Sequence, residues 1–346
     1  LDRVSNEIHR TEFQGLSVVT RGRVRFVEDE QRIIINGRKT RVVFDKTTGY
    51  LSSFQFNDRE YLKKPIKPNF WRAPTDNDFG NYMGEWAAPW REASSNQTLT
   101  SITVRQEGRA VEVEADYSVH DGDGNTVGNW LAKFAVQPNG RVDVDNRFTK
   151  GKEAPIVPRV GLHTELNRSF DQVEWYGRGP HENYEDRKVS ADVGRYQNRV
   201  VDHYVPYLRP QENGYKTDTQ WLSLGSPDGM GLLVLSPGKF SFGVSHHRLN
   251  DLVPPMKVSI TREDGPERYN TKRVNVHVND VKDRDLVTVN IDYGQMGVGG
   301  DDSWGKRTLQ KYSLNQSSYG YQFSLLPYED ESQKSKWIER ASDDGN

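Results

Sequence analysis

From residue 23 to residue 294 apolar and polar residues alternate in short runs, and this period of two limits the fold more than any other feature. Successive side chains on a strand point to opposite faces, so strict alternation describes a sheet with one buried face. "RVRFV", "QRIIINGRKTRVVFD", "SITVRQ", "AVEVEADYSV", "WLAKFAVQPNGRVDVDNRF", "QVEWYG", "GLLVLS", "FSFGVS", "KVSIT", "RVNVHV" and "LVTVNIDYG" all alternate or run through β-branched residues. "INGRK" and "QPNGRV" place Asn-Gly between such runs, the strongest short hairpin signal, and Thr48-Gly49 has the same role. Long 3.6-period segments are missing; the best helical candidate is short, Glu85 to Ala93. The expected fold is therefore all-β, a large antiparallel sandwich of many strands.

At 346 residues the chain is long enough for one large domain or two. A net charge of −2 offers no field for nucleic acid or an anionic membrane, so neither is expected as a partner. The absence of cysteine removes disulfides, thiolate catalysis and cysteine-based zinc sites together, and suits a cytoplasmic or a periplasmic setting equally. No apolar run approaches the ~18 residues of a membrane helix. The opening "LDRVSNEIHRTEF" is polar from its first turn, unlike a signal peptide, and a start at Leu1 suggests a processed or excised piece. Residues 1–22 differ in texture from the alternating runs beyond them, which places a boundary near 22. The end, "PYEDESQKSKWIERASDDGN", is charged and patternless as a strand, and reads as a partly disordered tail over 328–346.

Several stretches could carry chemistry. "YGRGPHENYEDRK" (176–188) lacks the third glycine of a dinucleotide fingerprint and enters no helix. Its better reading is a polar network of Arg178, Glu182, Asp186 and Arg187 fixing a loop, rather than an acid/base set with His181 and Glu185. In "NFWRAPTDNDFG", Asp76, Asn77 and Asp78 could gather around a cation, but Asx turns with an Arg72 ion pair describe them better. "DGDGNTVG" begins like a calcium loop and then departs, with Thr126 at the sixth position and Ala132 at the twelfth, which leaves a hairpin turn. His246 and His247 are neighbours and would face opposite sides of a strand, so they do not share a metal. What remains is aromatic: 8 Trp and 16 Tyr, with Trp304 beyond a glycine-rich turn and beside Asp301 and Asp302. An indole face accepts the C–H patch of a sugar while carboxylates bind hydroxyls; a tryptophan folded back on the core would look the same.

"NFWRAPTDNDFG", "WYGRGPHENYEDRK", "PYLRPQENG" and "MGVGGDDSWG" stand in that order along one chain. Together they closely resemble the C-terminal region, or small chain, of the glycoside hydrolase family 2 β-galactosidases, over about residues 25–327. The resemblance implies a galactose-mutarotase-like antiparallel supersandwich for residues 23–327, with residues 1–22 as the last strand of a preceding immunoglobulin-like domain. It implies a parent that hydrolyses terminal non-reducing β-D-galactose with retention. The catalytic glutamates and the magnesium and sodium ligands would lie in a TIM barrel outside this chain, so no catalytic residue, metal or cofactor is expected within it. It also implies that Trp304 stacks on the substrate and that Asp301 and Asp302 support its loop. Gly80 and Gly84 bracket residues 80–89 with wide backbone freedom, which reads as a mobile loop, and the resemblance adds that this loop lies near the active-site mouth. The expected partners are a galactoside, the barrel and the immunoglobulin-like domains. Two alternatives stand beside this: a carbohydrate-binding small subunit serving a separate catalytic chain, and a mutarotase-like epimerase, which needs a His and a Glu in one cleft.

Overall fold

A computed structural model describes residues 22–252, 277–302 and 305–343, together with two short strands at 259–260 and 268–269. The proposed immunoglobulin-like strand of residues 1–22 lies outside the described residues but for Gly22, and so do residues 273–276 of the expected strand "RVNVHV".

The first part is a meander of β1 (Arg25–Glu28), β2 (Arg32–Asn36), β3 (Thr40–Asp45), β4 (Leu51–Phe56), β5 (Arg59–Glu60) and β6 (Leu62–Asn69). Three short helices follow, α1 (Asp76–Gly80), α2 (Met83–Trp86) and α3 (Ala88–Ala93). Then come four long strands, β7 (Gln97–Glu107), β8 (Ala110–His120), β9 (Thr126–Val136) and β10 (Val142–Lys150). Next are β11 (Arg159–Leu166), β12 (Gln172–Gly179), β13 (Asp192–Arg199), β14 (Lys216–Gly225) and β15 (Gly231–Ser245). The chain continues with α4 (Leu249–Leu252), β16 (Ser259–Ile260), β17 (Arg268–Tyr269), β18 (Val287–Gln295), β19 (Ser318–Tyr328) and α5 (Glu331–Asp343).

The expected all-β antiparallel architecture is what forms. Seventeen of the strands join one hydrogen-bonded network. β7, β8, β9, β10 and β19 pair in that order, and β19 continues onto residues 231–235 of β15. Residues 241–245 of β15 pair instead with β18, which leads through β11 to β6. The other edge of β15 carries β14, then β12 and β13. β15 is thus the fork at which two layers separate. The Asn-Gly turns connect β2 to β3 and β9 to β10, and Gly49 turns β3 into β4 with φ of 74°. The calcium-like stretch is the β8–β9 turn, where the Asp121 carboxylate accepts from the Asp123 and Asn125 amides.

Two expectations change. The segment 80–89 is not a loose glycine-bracketed loop. It belongs to α1–α3, and Met83, Ala87 and Trp90 are fully buried. Trp90 lies 5.8 Å from the rings of both Phe70 and Phe148, and burial of so large a face outweighs the freedom of Gly80 and Gly84. The charged end is not a loose tail: residues 331–343 form α5, whose Trp337 completes a cluster with Trp221, Leu233, Leu235, Leu326 and Tyr328. Lys334 of the same helix, 5% exposed, ion-pairs with Glu174 and Glu331.

Candidate functional site

The glycine-rich segment 296–302 leaves the end of β18 and is held by groups from distant parts of the chain. Arg72 is the deepest. Its guanidinium is fully buried, pairs with Asp78 through Nη2–Oδ1 at 2.9 Å and Nε–Oδ2 at 3.1 Å, and donates to the carbonyls of Met296 (2.7 Å) and Gly297 (3.0 Å). Burial is the largest influence and works against its charge, but Asp78, with Glu212 and Tyr184 adding to it, turns the net shift upward, so the group stays cationic. Asp78 also closes a capping box with Thr75 at the start of α1, accepting from the Thr75 amide at 3.0 Å while its own amide donates to Thr75 Oγ1 at 3.2 Å. The Arg72 pairing anticipated from "WRAPTDND" is therefore present, and it positions α1 and the loop together.

Asp186 bolts the loop from the other side. Its carboxylate accepts from the Val298 amide (3.0 Å), the Gly299 amide (2.7 Å) and Thr308 Oγ1 (3.1 Å). Asn77 Nδ2 donates to the Val298 carbonyl at 3.1 Å. Gly297 is required here, since a β-carbon on it would lie 2.4 Å from Asp186 Oδ2. Beyond the turn, Gly305 has φ of 93° and runs so close to α1 that a β-carbon would lie 2.1 Å from the Gly80 carbonyl carbon. Gly80 is thus the surface on which the returning strand of the loop lies.

Of the residues singled out from sequence, Trp304 lies outside the described residues. Asp302 supports the loop locally, accepting from the Lys306 amide at 2.9 Å. Asp301 is exposed. The long-range supports are Arg72, Asn77 and Asp186, and the sequence motifs assign Arg72 and Asp186 to other networks. In the 176–188 network, Arg187 Nη2 bonds Glu182 at 2.8 Å and Arg178 pairs with Asp218 at 2.6 Å, whereas Asp186 leaves it to hold the loop.

A cleft of about 180 Å³ lies at the base of the loop, lined by Trp86, Met296, Val298, Arg307 and Thr308 among others. The Arg307 guanidinium sits over the Trp86 ring at 4.6 Å, and Trp86 Nε1 donates to Asn81 Oδ1 at 3.0 Å. Elsewhere in the interior is a buried polar knot: Arg159 contacts Asp292 (3.1 Å) and Glu212 (2.9 Å), and the Tyr215 hydroxyl donates to Asp292 at 2.9 Å. Burial pushes the Asp292 carboxyl up to about 7, with Arg159 and Tyr215 acting against it. Asp292 is wholly enclosed, so its shifted titration belongs to the scaffold.

Among the described residues the histidines do not gather into a site. His246 Nε2 lies 3.0 Å from Asp171, and His247 Nε2 lies 3.1 Å from Asp283; the two face separate carboxylates, but from a bend beyond the end of β15 rather than from opposite faces of a strand. Neither this cleft nor the larger basin of about 410 Å³ beside α5 is lined by a histidine, so neither supplies the His–Glu couple of an epimerase. Among the described residues no three His, Asp or Glu converge as a metal site.

Residues 36–325 match the family model described as the β-galactosidase small chain. The chain belongs to that family. A protein named β-galactosidase from Priestia megaterium is 33% identical over 87% of this chain, and another from Pseudoalteromonas haloplanktis is 29% identical over 86%. In both cases the chain spans only 27% of the relative's length, about a quarter. Among solved structures, a galactose 1-epimerase from Lactobacillus acidophilus NCFM covers 89% of this chain at 10% identity, with 99% of its own length covered and a TM-score of 0.46. The matched family region ends at residue 325, before α5 begins at Glu331.

Proposed function

We propose that this chain is the C-terminal portion of a β-galactosidase, and that its 296–308 loop closes one side of the mouth through which a terminal non-reducing β-D-galactoside enters. The observation that carries the reading is the investment in that loop. A buried Arg72–Asp78 pair, Asn77 and Asp186 converge on five backbone groups between the Met296 carbonyl and the Gly299 amide. A connector needs no such fixing, whereas a loop that must present a side chain at a defined place does. The side chain in question is Trp304, whose indole face would stack on the sugar.

The chemistry itself falls to two carboxyl groups of a catalytic barrel outside this sequence. One would act as nucleophile and the other as acid and then base, giving net retention. By the same resemblance, magnesium and sodium would be held by the barrel as well. What this chain does is bind, orient and narrow the solvent path. Arg72 and Asp186 act on the loop, not on the reacting bond.

The test is an assay on nitrophenyl β-galactoside. The isolated chain should show no turnover, and the assembled enzyme, with its barrel on the same or a separate chain, should hydrolyse it. In that enzyme Trp304→Ala should raise KM about five- to thirtyfold, the equivalent of ~1–2 kcal/mol of stacking, with Trp304→Phe recovering part. Turnover that purifies with the isolated chain would overturn the reading, as would an unchanged KM in a folded Trp304→Ala enzyme.

A further inference from the structure

Tyr82 joins α1 to α2 with φ of 60° and ψ of 37°, the left-handed region that glycine and asparagine tolerate and a tyrosine does not favour. The conformation is held rather than loose. The Tyr82 amide donates to the Phe79 carbonyl at 3.2 Å, and its carbonyl accepts from Glu85 (2.9 Å) and Trp86 (3.2 Å), so the residue is the hinge-pin between two helical turns. Both turns are themselves fixed, α1 by the Thr75–Asp78 box and α2 by the fully buried Met83. Yet the side chain so placed is 66% exposed, and among the described residues its ring stacks on no other and its hydroxyl bonds nothing. Asn81 stands one residue earlier, where it accepts from Trp86 instead. The chain keeps a large aromatic in an unfavourable backbone, on a rigid support, with no packing gained among the described residues. Strain of this kind at an exposed position marks a contact made with something else.

The place is informative. Gly305, on the returning limb of the anchored loop, lies directly against Gly80 and Asn81. Tyr82 therefore follows directly on the two residues against which the returning limb lies, and Asn81, its neighbour in sequence, lines the cleft at the base of the loop. An exposed aromatic face with a neighbouring amide is the chemistry that takes a pyranose ring: C–H groups on the ring, hydroxyls on the amide.

We propose that Tyr82 is a specificity-determining residue on the leaving-group side, a platform for the saccharide ring that projects from the galactose pocket. This rests on the function proposed above. There the galactosyl ring is seated among barrel carboxylates and against Trp304, and the part of a substrate that projects past the loop toward Tyr82 is the leaving group. The platform makes no bond and moves no proton; it acts through stacking alone.

The test uses the assembled enzyme and two substrates, lactose, whose leaving group is a second sugar ring, and β-galactosyl fluoride, whose leaving group is a single atom. Tyr82→Asn suits the left-handed backbone and keeps the fold. It should raise KM for lactose about three- to tenfold, with kcat changed less, and leave galactosyl fluoride within about twofold. Tyr82→Phe and Tyr82→Trp should restore most of the loss, because they keep the ring. Equal losses on both substrates, or none on lactose, refute the platform while leaving the proposed function standing. A lowered melting temperature with disrupted assembly in Tyr82→Asn also refutes it and makes Tyr82 a contact to a neighbouring domain. A wild-type enzyme that hydrolyses neither substrate removes the proposed function itself, and the platform with it.

Discussion

Asp186→Ala should loosen the 296–308 loop while leaving the sheets intact. The substitution removes one carboxylate that accepts two backbone amides and one hydroxyl, at 3.0, 2.7 and 3.1 Å. Hydrogen bonds to a charged acceptor contribute about 1.5–3 kcal/mol each when no water replaces them. Asp186 is half-buried, so water recovers part of each bond, and a net loss of about 2–3 kcal/mol is reasonable. Arg72 and Asn77 still hold the carbonyl side, so the loop samples other positions without unfolding the protein. The kinetic penalty has a ceiling. An anchor cannot cost more binding than the side chain it presents, so KM should rise by no more than the five- to thirtyfold assigned to Trp304, or ~1–2 kcal/mol. Tyr184 and Asn183, next door, give a check on collateral damage, since both are buried. The assay is steady-state kinetics of Asp186→Ala, Trp304→Ala and the double variant in the assembled enzyme. The double variant should resemble Trp304→Ala, because both changes act on one contact. Fully additive losses, or an Asp186→Ala enzyme with wild-type KM, would refute the view of Asp186 as the bolt of this loop.

Asp292 offers a pH test. Its folded pKa is pushed up to about 7 by burial, above the ~3.9 of an unfolded aspartate, so the native state binds more protons between those values. This group's stabilising contribution is fully present below pH ~4 and is lost as pH rises through about 7; Asp292→Asn should flatten that fall in urea melts, and an unchanged slope counts against it. Lys216 has the opposite sign: burial lowers it to about 8, with Glu182 pulling back, so the unfolded state binds more protons between pH ~8 and ~10.4 and stability rises across that window. Lys216→Met should erase the rise, measured by denaturant titration at several pH values. Trp337→Ala should cost about 2–4 kcal/mol by opening the cluster under α5, read as a lower urea midpoint, and a loss under ~1 kcal/mol would mean the helix does not dock in solution.

The period of two made the long strands legible, β8 through β10 above all, because each buries one face and shows the other to solvent. It failed where a strand breaks its own rule. β6 contains Pro65 and Pro68, residues that ordinarily argue against a strand interior, and it pairs with β11 only through two register shifts. β13 shows exposed or half-buried residues along its whole length, so no face announces it. The 80–89 stretch reads as a loop because Gly80 and Gly84 are visible in sequence, whereas the paired Phe70 and Phe148 rings against which Trp90 packs come together only on folding. The loop supports are hidden for a similar reason. Asp301 and Asp302 are close to Trp304 in sequence, but the loop leans on Arg72 and Asp186, more than a hundred residues away, and only sheet topology brings them together. A partial signal did exist: the motif holds one cation, Arg72, with Asp76 and Asp78 close by, which implies an ion pair but does not say that Asp78 is the buried partner while Asp76 turns outward to Arg209.

The forked strand β15 has a mechanical consequence. Residues 231–235 and 241–245 belong to different layers, and the covalent chain between them runs through exposed Pro237, Gly238 and Lys239. The two layers therefore share a beam rather than a seam. Load applied to one is carried into the other along peptide bonds, and β14 on the far edge spans both halves of the beam, pairing with residues 231–235 and with Phe240 and Phe242. A chain long enough for two domains should then melt in one calorimetric transition. A protease that cuts at 237–239 should split that transition into two while every strand is still present.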